Sequence, residues 1–227
     1  SEQKMGIVDP ILYADSVILD ADLTLELPKH ITAYSGIDAM VHAIEAYTTK
    51  LKKNTLSDLL AKKALSLLGE NIKTVVEVPK NRIARQKMLL GSMLAGMAFS
   101  NAPVGGVHAL AYPLGARFHI PHGLSNSLVL TKVLTFNSKE AENLYCEIAG
   151  DCLPNLKGKK IKIEDFISGL EQLIDDLKIP KCLKDVGINH GDIPMLAEDA
   201  MKQQRLLVNN PRELDFEDAK SIYEKAL

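Results

Sequence analysis

From about residue 30 onward, apolar residues recur at helical spacing, and only the N-terminal stretch breaks that pattern. Residues 5–20 read as extended segments interrupted by Pro10, with Val17-Ile18-Leu19 a compact strand-prone run. A lone strand or two makes no stable sheet. This arm is therefore expected either to pack on helices or to have its sheet partners outside the chain. Leu27-Pro28 closes it. A first helix is predicted from about Thr32 to Thr49, with Ile37, Met40, Val41 and Ile44 on its apolar face. Asp38, His42 and Glu45 form a polar stripe beside that face. Gly36 predicts a break or a close backbone approach. Thr55-Leu56-Ser57-Asp58 resembles a capping box with Asp in place of Glu. It opens a helix to about Val76 whose core face is Leu56, Leu59, Leu60, Leu67, Leu68, Ile72, Val75 and Val76.

Pro79 ends that helix, and Asn81 caps the next, to about Phe99. Ala84, Gly91, Ala95 and Ala98 make a line of small residues there, which predicts close helix contact. Met88, Met93 and Met97 are expected to fill the core. Gly105-Gly106 reads as a tight turn into a helix carrying His108 and Tyr112 on one face, which Pro113 kinks or ends. Arg117 to Pro121 form a connector. His122-Gly123 opens a helix through Leu134, and Asn137-Ser138-Lys139-Glu140 caps another to about Gly150. Further helices are predicted over Glu164–Leu177, with Phe166, Leu170, Leu173, Ile174 and Leu177 inward. Two more run from Asp192 to about Arg205 and from Asp215 to Leu227. The fold class is mainly α, with eight or nine helices over residues 28–227 and an extended arm or linker over 1–27.

Composition narrows the function. Hydrophobic residues make up 46% of 227, and the net charge is −2 with both signs interspersed. That gives no electrostatic case for nucleic acid or an anionic membrane. Cys146, Cys152 and Cys182 are odd in number and form no CxxC pair, which fits a reduced, cytoplasmic chain. No apolar run reaches membrane-spanning length.

The chemistry-bearing residues are histidines and one aspartate. Asp38 and His42 lie four apart in a predicted helix, so their side chains share one face. His108 follows a glycine-rich turn, and His122 starts a later helix, where the dipole favours a neutral ring. One carboxylate and three imidazoles brought together would suit iron or zinc. A solvated polar stripe is the ordinary alternative, and spacing alone leaves both readings open. His30, His119 and His190 are read as structural.

Three stretches carry a family resemblance. They are Leu27-Pro28 through Gly36-Ile37-Asp38-Ala39-Met40-Val41-His42 to Tyr47, then Gly96-Met97-Ala98-Phe99 through His108 to Gly115, and His119-Ile120-Pro121-His122-Gly123-Leu124-Ser125-Asn126. Here the chain closely resembles the iron-containing alcohol dehydrogenases, which join an α/β dinucleotide-binding domain to a helical metal-binding domain of the dehydroquinate synthase-like type. The resemblance implies that only the second domain is present, with residues 1–27 a remnant of the first. It implies Fe²⁺, or Zn²⁺ as in some relatives, held by Asp38, His42, His108 and His122. It further implies NAD or NADP bound by the absent domain, a primary alcohol or aldehyde as substrate, and a homo-oligomeric full-length protein. Many members carry a second histidine where this chain has Tyr112, so Tyr112 is the candidate catalytic or packing residue there. Phe99 and Val104 correspond to substrate-pocket wall. The other readings kept open are a zinc-dependent glycerol dehydrogenase-like enzyme and a metal-free helical interaction module.

Overall fold

The computed structural model describes residues 6, 7 and 9–227. Among these residues every regular element is helical. The bundle is built around α1 (Lys29–Thr48), which starts directly after Pro28. Ala33, Ile37, Met40, Val41 and Ile44 are fully buried, so α1 is surrounded on most of its circumference. Three long helices surround it: α2 (Thr55–Glu77), α3 (Arg82–Asn101) and α5 (His122–Cys152). The short α4 (Gly106–Phe118) packs on α5 and on α7 (Ile193–Met201). Then α6 (Ile163–Asp176) packs on α5, α9 (Phe216–Ala226) on α7 and α5, and the single turn α8 (Gln204–Leu207) lies beside α4.

Long-range polar bonds fix α4. Tyr223 of α9 donates its hydroxyl to the Leu110 carbonyl at 2.6 Å. Arg117 Nε pairs with Asp199 of α7 at 2.7 Å. Asn210 Oδ1 accepts from the Gly106 amide at 3.1 Å. That asparagine is also paired reciprocally with Asn137 of α5, at 2.9 and 2.7 Å. The hydrophobic contribution is conventional. Leu65, Leu68 and Ile72 of α2 are completely buried, each stabilising the fold by about 1.5–3 kcal/mol.

The helical architecture and most inward faces agree with the pattern of apolar positions. Ala84, Gly91, Ala95 and Ala98 are buried, as are all five inward residues of α6. Several expectations are corrected. Val17-Ile18-Leu19 forms no strand; Val17 and Ile18 are 61% and 91% exposed. The described part of the arm instead makes two short 3₁₀ turns, at Pro10–Leu12 and Ala21–Thr24, capped by Asp9 and Asp20. Met5 and Val8 lie outside the described residues. Helix α1 begins at Lys29, earlier than predicted, and passes Gly36 unbroken. Gly36 marks close approach instead: a β-carbon there would stand 2.9 Å from Ile72 Cδ1.

The cap of α2 is Asn54, which accepts from the Ser57 amide at 3.0 Å, in place of Thr55. Leu56 and Leu59 are exposed, because the buried face of these first turns runs instead through Ser57, Ala61, Ala64 and Leu65. Met97 is likewise 47% exposed. Pro113 does not end α4, which continues to Phe118. Helix α5 is one element of 31 residues, running straight through the predicted cap at Asn137. The Asn137 side chain is committed to Asn210 and is not free to cap. Asp192 closes a 3₁₀ turn by accepting from the Asn189 amide at 2.8 Å. The helix after it stops at Met201, with α8 a separate turn. No single helix among the described residues is long and apolar enough to cross a membrane.

Candidate metal centre

Asp38 and His42 project from α1 one turn apart, as their spacing requires. His108 comes from the first turn of α4, and His122 is the first residue of α5. One ligand atom from each of the four lies within 4.8 Å of the others. The approach of α5 to α1 is set by Gly123, whose β-carbon, if present, would lie 2.2 Å from the Tyr34 carbonyl oxygen. No other residue could stand there without moving one helix, and His122 rides directly before it.

Hydrogen bonding orients these groups. Glu45, one turn beyond His42, is buried at 6% exposure. Its Oε2 lies 2.5 Å from His108 Nδ1, and its Oε1 accepts from the Val107 amide at 2.7 Å. A carboxylate on Nδ1 makes that nitrogen the donor and leaves the Nε2 lone pair facing the cluster. Nε2 of His108 and of His122 lie 3.9 and 3.6 Å from Asp38 Oδ1. Burial, then the neighbouring His108 ring, push the His42 pKa down to about 3, against the pull of Asp38. His42 is thus neutral at physiological pH, the form a metal needs. Its ring stacks on Phe99 and on His108, with centroids 4.5 and 4.6 Å away.

Asn126 stands among the acceptors. Its Nδ2 donates to Asp38 Oδ1 at 2.5 Å and lies 3.4 and 3.3 Å from His108 and His122 Nε2. Its own Oδ1 is buried without a partner. Several lone pairs therefore converge on a single amide, and a cation between them would satisfy them better. On that ground the donor set fits a divalent ion.

A cavity of about 360 Å³ opens on His42, His108 and His122. Phe99, Val104 and Tyr112 line it, as do Gly6 and Tyr13 of the N-terminal arm. Tyr112 meets the His122 ring edge-on at 5.8 Å, and burial raises its phenol pKa, so it stays a hydrogen-bond donor. The structure thus brings all of Asp38, His42, His108, His122, Phe99, Val104 and Tyr112 to one place. His30, His119 and His190 are exposed and stand outside it. Glu45 and Asn126 are the residues that sequence reasoning does not single out. Glu45 falls on the ligand stripe, but its burial is the signal that periodicity lacks.

An all-helical domain with an Asp/His₃ cluster between α1, α4 and α5 is the architecture these residues define. A profile of the Fe-containing alcohol dehydrogenase family, C-terminal, matches residues 32–227. Long-chain-alcohol dehydrogenase 1 of Geobacillus thermodenitrificans (strain NG80-2) is 38% identical over 229 residues, covering 98% of this chain and 57% of its own length. The 1,3-propanediol dehydrogenase of Klebsiella pneumoniae is 35% identical, covering 92% and 54%. Among solved structures, a 1,3-propanediol oxidoreductase superposes with TM-score 0.87 at 34% identity, over 92% of this chain and 55% of that one. An iron-containing alcohol dehydrogenase from Thermococcus thioreducens gives TM-score 0.86 at 32% identity, over 97% and 56%. The chain belongs to the Fe-containing alcohol dehydrogenase family and corresponds to its C-terminal part. It spans just over half the length of these relatives.

Proposed function

We propose that this chain is the metal-binding half of an alcohol dehydrogenase that interconverts a primary alcohol and an aldehyde with a nicotinamide dinucleotide. The observation that carries the reading is the convergence of Asp38, His42, His108 and His122, with the three histidines lining a cavity. These four residues would hold the ion, Fe²⁺ by family and Zn²⁺ as the alternative, since both accept imidazole and carboxylate together. When bound, the ion supplies Lewis-acid polarisation of the alcohol or carbonyl oxygen. Glu45 holds His108 in the tautomer that presents Nε2. Phe99 and Val104 wall the pocket and exclude water from the reacting carbon. Tyr112, protonated, offers a donor beside His122.

In this reading NAD or NADP is held by a segment beyond these 227 residues, and residues 1–27 join that segment to the helical domain at 28–227. A structure of an NAD⁺-bound relative, a sulfoacetaldehyde reductase from Bifidobacterium kashiwanohense, supports the nicotinamide cofactor. The partners proposed are a small alcohol or aldehyde and further copies of the full-length protein, with no nucleic acid or membrane. The test is metal content of the chain purified without added metal, by plasma mass spectrometry, followed by chelation. About one equivalent of iron or zinc is expected, with a lower melting temperature after chelation. The chain alone should not oxidise ethanol or butanol with NAD⁺. Absence of metal, even after anaerobic Fe²⁺ addition, together with a melting temperature indifferent to chelator, would leave the metal-free interaction module.

A further inference from the structure

A second cavity, of about 190 Å³, lies beside a different face of α1, walled by α1, α2 and α3. Thr24 and Leu27 form one edge, held there by the Arg82 to Asp22 ion pair at 2.5 Å. The wall is largely aliphatic, with Leu68, Val75 and Met88 prominent. One charged side chain lines it: Arg85, which is 3% exposed.

The bonding of Arg85 is incomplete. Its Nε donates to the Pro79 carbonyl and its Nη1 to Thr32 Oγ1, both at 2.9 Å. Both acceptors are neutral. Nη2 is buried and has no partner. Burial lowers the guanidinium pKa, and no carboxylate opposes that shift. A buried cation is ordinarily paired with an anion, because desolvating the charge alone is costly. Here a cavity adjoins the unpaired charge.

We propose that this cavity is a binding site for a small carboxylate with a short aliphatic tail, held by Arg85 and seated against Leu68, Val75 and Leu27. The unpartnered Nη2 offers its N–H groups to a carboxylate, and one negative charge balances one positive charge. A phosphate group would bring up to two charges to a site with one cation. The volume is below the roughly 300–1,000 Å³ of pockets for drug-sized ligands, which limits the tail to a few carbons. The site is independent of the metal centre and does not rest on the dehydrogenase reading.

The probe is hexanoate, titrated by calorimetry and by thermal unfolding into the chain after removal of metal by chelation. Saturable binding with Kd below about 1 mM is expected, with the neutral hexanamide at least about tenfold weaker. Ser92 is an exposed residue of the cavity lining. Ser92→Leu fills the space while leaving the bonds from Arg85 to Pro79 and Thr32 in place, and should weaken hexanoate at least about tenfold. Arg85→Met should abolish binding, but it also removes a clamp between helices, so Ser92→Leu carries the test. His122→Ala should leave hexanoate binding unchanged. Equal binding of hexanamide, indifference to Ser92→Leu, loss on His122→Ala, or no saturation would each overturn the proposal. Arg85 would then be only a clamp from α3 to α1.

Discussion

Two polar clusters hold the start of α4, and they differ in how completely they are bonded. The asparagine cluster is closed. Asn137 and Asn210 exchange amide hydrogen bonds, and Asn210 also serves the Gly106 amide and the Arg212 carbonyl. Asn209 donates to the Val104 and Arg205 carbonyls. The aspartate–histidine cluster is open: acceptors face one another, and one amide of Asn126 serves them with its own oxygen orphaned. A closed cluster is architecture, because its demands are met within the chain. An open one predicts something more to bind.

If that distinction is right, removing a ligand should cost most in metal binding. His122→Ala is expected to weaken metal affinity by at least about a thousandfold, roughly 4 kcal/mol, measured by competition with a chelator of known affinity. The stability of the chelated protein should change far less. Asn210→Ala should do the reverse. It leaves Asn137 Oδ1 and the Gly106 amide unpaired, which is expected to cost about 3 kcal/mol in urea unfolding, with metal stoichiometry retained in the fraction that folds. A large loss of metal in Asn210→Ala with little loss of stability would erase the contrast.

Glu45→Gln sits between the two clusters. The amide keeps an acceptor for Val107 but loses the charge that holds His108, so metal affinity should fall roughly 10–100-fold. A change in stability alone would assign Glu45 to the architecture. The smallest effect is a pH slope in the metal-free chain. The His42 pKa is depressed from 6.5 to about 3 in the folded state. The unfolded chain therefore binds one more proton between those values, so stability is full above about 6.5 and declines as pH falls. The loss approaches about 1.4 kcal/mol per pH unit, and urea midpoints at about pH 7.5, 6 and 5 would record it. His42→Gln should remove about one proton's worth of that slope.

Much of this architecture is legible in the amino-acid sequence alone. Helical spacing places Asp38 and His42 on one face, and the small-residue line of α3 and the inward face of α6 follow directly from periodicity. The failures have local causes. Asn137-Ser138-Lys139-Glu140 carries the signature of a helix start, yet a partner distant in sequence, Asn210, takes the asparagine side chain and the helix continues. Leu56 and Leu59 are apolar, yet the first turns of α2 bury the small residues Ser57, Ala61 and Ala64 instead, a face that apolar periodicity does not single out. Val17-Ile18-Leu19 has strand propensity without a strand to pair with among the described residues. Glu45 resembles the solvated end of a polar stripe because burial by α4 is a tertiary event.

The contact of Gly123 with the Tyr34 carbonyl has a mechanical consequence. Where two helices are separated by interlocking side chains, their spacing can yield as rotamers adjust. Here backbone meets backbone, and the gap between the helices bearing Asp38 and His122 has a hard stop. That gap should be nearly incompressible, so hydrostatic pressure would shrink the aliphatic hollow beside Arg85 well before it altered the spacing of the ligands.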